Sequence, residues 1–141
     1  MRQHHWSMIV TQVNSVFSMF AHQQFMNLTT FRKNGHPMPT PVWFAQEGDR
    51  LVVMTTANAG KIKRIRAHSR VEIGPCDRRG MPLGPSVPAT ARILSAAEGV
   101  HADRLLSRKY GLMKWMFDAF GKLRGMPSRA YIEIVPGDGV P

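Results

Sequence analysis

Phe25-Met26-Asn27-Leu28-Thr29-Thr30-Phe31-Arg32-Lys33-Asn34-Gly35 is the stretch that decides the fold. Its first seven residues carry the aromatic and β-branched side chains that suit a pleated strand, and Asn34-Gly35 favours the positive φ angles of a tight hairpin. The chain therefore turns back on itself. Thr40-Pro41-Val42-Trp43-Phe44-Ala45 reads as the returning strand, with Pro37, Pro39 and Pro41 withdrawing backbone donors from its beginning, so that half is expected at a sheet edge. Gly48-Asp49 then turns into Leu51-Val52-Val53-Met54-Thr55-Thr56, the clearest strand of the chain. Three strands joined by tight turns run antiparallel, which excludes a doubly wound parallel sheet.

Outward from this core, Asn58 to Gly60 breaks the third strand, and Lys61-Ile62-Lys63-Arg64-Ile65-Arg66-Ala67 follows as a short helix. Ile62 and Ile65 lie three apart on one face, and the other face is almost wholly basic. Arg70 to Gly74 and Val87 to Leu94 alternate as further strands. Pro88 argues for an edge or a bulge in the second of them. Ser95 with Glu98 three residues later is the capping box of a helix start, and a break is expected near Tyr110-Gly111 before Leu112 to Phe117. Arg129 to Val135 closes the pattern as the last strand. Upstream, Ser15 to Ala21 with Val16, Phe17, Met19 and Phe20 fits a short amphipathic helix, and residues 1–14, with His4, His5 and Trp6, read as a flexible extension. The expectation is one domain over 15–141: mainly β, an antiparallel barrel of about six strands with peripheral helices. Leu28, Val42, Val53, Ile73, Ile93 and Ile134 are expected in its core.

The 141 residues suit a single core. Nineteen Lys and Arg against nine Asp and Glu give a formal charge of +10, which attracts nucleic acid, anionic lipid or an anionic small molecule. No helix-turn-helix pattern is visible, so a nucleic-acid partner is not expected. No apolar run approaches the roughly 20 residues that span a bilayer. The single Cys76 excludes an internal disulfide and suits a reducing, cytoplasmic compartment. His22, His36, His68 and His101 lack metal-ligand spacing, and no nucleophile motif stands out.

The chemistry gathers at Lys61, Lys63, Arg64 and Arg66, which follow the hydroxyls of Thr55 and Thr56. Hydroxyls, helix-start amides and cations together suit phosphate oxygens, although a solvated basic helix face has the same pattern. Cys76 beside Arg78 and Arg79 is either a reactive thiol or packing. Met113, Trp115, Met116, Phe117 and Phe120, with Lys114, Lys122 and Arg124 nearby, suit either burial against the barrel or a partner subunit, or a membrane surface.

The sequence resembles the split-barrel flavin and deazaflavin oxidoreductases related to pyridoxamine 5′-phosphate oxidase. Asn27 to Gly35 followed by Pro39 to Phe44 is similar to the opening hairpin of the branch that uses coenzyme F420, the deazaflavin. Gly60 to Arg66, with Arg70-Val71 through Pro75 to Gly80, resembles its phosphate-binding segment and next strand. The resemblance covers Ser15 to Val135 and implies an FMN-binding-type split β-barrel. It implies a homodimer, with two cofactor sites at the subunit interface, that passes a hydride between coenzyme F420 and a small-molecule substrate, with FMN as the alternative cofactor and non-catalytic storage as the alternative role. It further implies that the ring lies along Thr40, Pro41, Val42 and Trp43, that Thr55 and Thr56 approach the ribityl-phosphate arm, and that Lys61, Lys63 and Arg66 hold the phosphate. The acidic tail of the deazaflavin accounts for the positive charge. Trp43 is then either a core aromatic or a wall beside the ring.

Overall fold

Alternate side chains of the first strand point inward, and the rest of the molecule is built on that face. The computed structural model describes residues 18–137. Among them the order is β1 (Phe25–Phe31), β2 (Pro37–Val42), β3 (Phe44–Glu47), β4 (Arg50–Thr56), α1 (Gly60–Ala67), β5 (Arg70–Cys76), β6 (Val87–Ile93), α2 (Ala96–Tyr110), α3 (Leu112–Arg124) and β7 (Arg129–Pro136). The expected extension at 1–14 and residues 15–17 of the expected first helix lie outside the described residues; Phe20, next to them, is buried in the core.

All pairings are antiparallel, and the strand order is β2-β1-β5-β6-β7-β4-β3. The two outermost strands of that order, β2 and β3, are separated in sequence by Trp43 alone. The sheet must curl until its two edges meet at this residue, yet β2 and β3 do not pair. The product is a split barrel. It corrects the sequence expectation in one respect: the run Thr40 to Ala45 is two strands, not one, so the described residues hold seven strands rather than six.

Register and burial separate the two faces. Met26, Leu28 and Thr30 of β1 are buried and lie across from Val42, Thr40 and Met38, placing those three on the inner face of β2. Leu51, Val53, Ile73, Ile132 and Ile134 complete the inner core with almost no exposure. Ile93, expected in the core, is only half-buried, because it ends β6 and borders an open cleft. Prolines at 37, 39 and 41 cannot donate to β1, so that ladder is carried by the amides of Met38, Thr40 and Val42. The free edge of β2 thus presents carbonyls without donors, a poor template for a further strand. Pro88 corrects another expectation, since β6 is an inner strand. Its carbonyl accepts from the Gly137 amide (3.1 Å), while the Thr90 hydroxyl gives the Gly137 carbonyl the donor that proline lacks (3.0 Å).

A second layer covers the outside of β3, β4 and β7. Here α2 packs Ala102, Leu106 and Tyr110 on Ala45, Val52 and Leu94, with Trp43, Met54 and Tyr131 at the margin. The Ser95–Glu98 capping box starts α2, and Gly111, with φ 53°, breaks it from α3 where expected. Gly99 lies within α2 because of close approach: a Cβ there would stand 2.9 Å from the Tyr131 ring. No described helix is long and apolar enough to cross a membrane.

Candidate functional site

Helix α1 divides its cations between the two flanks of the buried stripe of Ile62 and Ile65. Lys61 and Arg64, three apart, share one flank; Lys63 and Arg66 share the other. Lys61 is half-buried, and its ammonium donates to the Thr55 hydroxyl over 3.3 Å. The Arg64 Nε donates to the buried Thr30 hydroxyl over 2.6 Å. Its guanidinium also lies over Gly60, where a Cβ would meet Nη1 at 2.8 Å. No carboxylate pairs with either cation among the described residues. Burial, and then the positive Arg64 beside it, holds the Lys61 pKa below the usual lysine value. Two cations and two hydroxyls held this way match the oxygens of a phosphate.

The remaining residues named from the sequence distribute as follows. Thr55 shares the inner face of β4 with Leu51 and Val53, whereas Thr56 points to the opposite face, in register with Arg129. Thr40 lies on the inner face of β2, its hydroxyl 3.4 Å from the Leu28 carbonyl, and Val42 is in the core. Pro41 is exposed and borders Gly80. Lys63 is exposed, and Arg66 lines a separate cleft. The structure therefore brings Lys61 and Thr55 together and leaves Thr56, Lys63 and Arg66 turned elsewhere. Arg64, read from the sequence as part of the basic segment but not assigned the phosphate by the resemblance, joins the cluster, and so does Thr30, which was not named. The three-residue spacing from Lys61 was the available signal for Arg64, but Thr30 had none.

Trp43 belongs to the outer layer. It stacks on Tyr110 at 4.5 Å between ring centroids and 13° between planes, and Phe117 tilts against it at 5.3 Å. The Tyr110 hydroxyl accepts from the Phe44 amide (2.9 Å) and reaches the Gln24 carbonyl (2.7 Å), pinning the corner between β2 and β3. Burial pushes the Tyr110 hydroxyl up to about 12.

A second charged cluster is internally balanced. Lys114, 1% exposed, sits between Asp103 (2.9 Å) and Asp118 (2.8 Å); Arg129 also donates to Asp118, and the Tyr131 hydroxyl donates to Asp103 (2.6 Å). Two cations and two carboxylates cancel, so this network fastens α2, α3 and β7 together. It underlies a cleft of about 960 Å³ lined by Arg66, Arg104, Lys122, Arg129 and Tyr131. Cys76 is buried, and burial followed by the charge of Asp77 pushes its thiol up, which favours the packing reading. No group of potential metal ligands occurs among the described residues.

A family model described as pyridoxamine 5′-phosphate oxidase matches residues 15–139. The chain belongs to that family. No curated protein matches the sequence. Among solved structures, HutZ, the heme storage protein from Vibrio cholerae, is 12% identical, with a TM-score of 0.64 over 89% of this chain and 90% of that one. A FAD-binding protein from Mesorhizobium loti is 17% identical (TM-score 0.58, 86% and 85% covered). An F420 reductase is 18% identical (TM-score 0.52, 85% and 91% covered). At such identities the likeness is one of fold. The span that places this chain in the pyridoxamine 5′-phosphate oxidase family includes Lys61, Arg64 and both threonines, as well as Thr40 to Trp43.

Proposed function

We propose that this chain is a cytoplasmic oxidoreductase that uses coenzyme F420, which supplies a hydride for a small organic substrate, and that it works as a homodimer. The observation that carries the reading is the pair Lys61 and Arg64, set on Thr55 and Thr30 with no carboxylate partner among the described residues. Charge-assisted bonds from such a pair hold phosphate oxygens, and the phosphate in turn relieves the repulsion between the cations. Lys63 and Arg66, on the far flank of α1, add attraction for an acidic tail. The outward carbonyls of β2 near Pro41 accept from ring N–H groups, and Thr40 to Trp43 support the ring.

Flavin mononucleotide fits the same clamp, and the likeness to a FAD-binding protein supports it as the second reading. The charge of +10 favours the deazaflavin, whose glutamate tail adds anionic groups. The test is a dialysis titration of the protein with both cofactors, followed by turnover of the reduced deazaflavin with enones, quinones and nitro compounds. Tight binding of the deazaflavin with oxidation by some member of the panel is the expected result. Preference for flavin mononucleotide moves the assignment to the second reading; binding without any turnover makes the protein a store.

A further inference from the structure

The cleft above the Lys114 network has walls that the fold fixes. Leu94, Ser128 and Tyr131 line it, and each is tied through its backbone: the Leu94 amide donates to the Tyr131 carbonyl (2.9 Å), and the Ala57 amide to the Ser128 carbonyl (2.8 Å). The end of α3 is held likewise, since the Met126 amide donates to the Gly121 carbonyl (3.0 Å). Its volume of about 960 Å³ falls in the range of roughly 300–1,000 Å³ usual for small-molecule sites.

The charges lining the cleft are unevenly spent. Asp103 is held by Lys114 (2.9 Å) and the Tyr131 hydroxyl (2.6 Å), and Asp118 by Lys114 (2.8 Å) and Arg129. Arg66, Arg104 and Lys122 are exposed, and their side chains make no ion pair or hydrogen bond among the described residues. Each comes from a different helix, α1, α2 and α3 in turn, yet all three line the same cleft. The carboxylates there are already neutralised, so the cleft as a whole attracts anions. Its apolar part is supplied by buried Leu94, exposed Val100 and half-buried Tyr131.

We infer that this cleft is a second binding site, separate from the Lys61–Arg64 pair, for a small organic anion: a molecule with an apolar body and a carboxylate or phosphate-ester head. The guanidinium of Arg104 can hold two oxygens of such a head and Lys122 a third, while the body lies against Leu94, Val100 and Tyr131. Helix α1 separates the two sites, because Arg66 lies on the flank opposite Lys61 and Arg64. The inference does not depend on the proposed function, since it uses neither member of the pair that carries that reading.

The experiment is calorimetric titration of the full chain, without cofactor, with 2-naphthoate, 2-naphthyl phosphate, 2-naphthol and inorganic phosphate. Both naphthyl anions should bind, and the tighter one identifies the head group. Naphthol, which lacks the charge, and inorganic phosphate, which lacks the apolar body, should each bind at least about tenfold more weakly. Arg104→Glu/Lys122→Glu, at two exposed positions, should weaken the anions by about 100-fold or more with an unchanged circular dichroism spectrum. Arg104→Gln/Lys122→Gln, expected to lose about tenfold or more, replaces it if the reversal disturbs the fold. Arg32→Glu/Lys33→Glu makes the same change of charge at exposed residues off the cleft, and should stay within about threefold at moderate salt. Lys61→Ala/Arg64→Ala should stay within about threefold as well, because it touches only the other site. Absence of binding, naphthol as tight as the anions, or an equal loss in the Arg32/Lys33 or Lys61/Arg64 variants overturns the inference. Displacement of the probe by coenzyme F420 but not by flavin mononucleotide also overturns it, by making the cleft the seat of the cofactor's acidic tail.

Discussion

Lys61 sits beside Arg64 with no carboxylate between them among the described residues, and that imbalance would make the proposed clamp sensitive to pH. Burial and the neighbouring charge both favour the neutral amine. A bound phosphate favours the ammonium, so binding takes up a proton, and affinity falls as pH rises through the lowered pKa of the free protein. Lys61→Arg, which stays charged, should flatten that profile in titrations run across the alkaline range. At neutral pH, Lys61→Ala/Arg64→Ala should weaken cofactor binding by about 100-fold or more, two charge-assisted bonds contributing roughly 1.5–3 kcal/mol each. Lys63→Ala should stay within about threefold at moderate salt, since an exposed charge off the cluster acts only through a screened field. Equal losses for Lys61→Ala and Lys63→Ala would show that the two flanks of α1 act together, against the division drawn from the geometry. Lys109 offers a second pH test. Burial lowers its pKa to about 8 although its ammonium donates to the Phe44 carbonyl (2.8 Å) and lies 3.4 Å from the Phe44 ring centre. Its folded pKa lies below the ordinary 10.5, so the unfolded chain binds more protons between about pH 8 and 10.5, and stability rises with pH across that window. Chemical denaturation of Lys109→Met should show a smaller rise there.

At the scale of elements, α2 and α3 depend on a few close contacts. Gly99→Ala places a methyl 2.9 Å from the Tyr131 ring, and moving that ring strains the Tyr131–Asp103 hydrogen bond. A loss of about 1–3 kcal/mol in urea unfolding is expected, the usual cost of overpacking. A loss under about 0.5 kcal/mol would mean that α2 can lift from β7 freely. The sequence was legible here where local chemistry decides: the capping box at Ser95, the break at Gly111, the Asn34-Gly35 turn, and the inward Ile62 and Ile65. It was illegible where the whole sheet decides. Nothing in Thr40 to Ala45 marks a corner, because the chain bends at Trp43 only to bring the two edges of the barrel together. Pro88 looked like an edge residue because sequence cannot show that the Thr90 hydroxyl supplies the missing donor. The cluster proposed to hold phosphate was half legible. Its segment could be read, but the face of β4 that carries Thr55 rather than Thr56 depends on register with β7. The inward turn of Lys114 on α3 could not be read, since in the sequence that lysine stands among apolar neighbours.

For the whole molecule, the question is how a charge of +10 divides between field and clamp. The charge is spread widely, and several of its members are spent on internal pairs: Arg50 with Glu47 and Glu133, Arg92 with Glu98, and Lys114 and Arg129 with Asp118. The remaining cations on α1 and around the cleft act on an anionic ligand from several ångströms away, and salt screens such forces over a Debye length of about 10 Å at 0.1 M. Contacts of a phosphate with Lys61 and Arg64 in the proposed clamp would be short and partly desolvated, so screening would affect them less. Raising salt from low to about 0.5 M should therefore weaken deazaflavin binding by roughly tenfold and then level off, as the field is removed and the clamp remains. Lys63→Ala/Arg66→Ala should lower the salt slope while leaving the high-salt affinity near that of the parent. Lys61→Ala/Arg64→Ala should lower affinity at every salt concentration. Flavin mononucleotide, which lacks the acidic tail, should show a shallower slope than the deazaflavin in the same protein. If instead affinity keeps falling in proportion to salt without levelling, binding is carried by dispersed charge alone, the behaviour of a polyanion-binding surface, and the phosphate clamp at Lys61 and Arg64 is ruled out.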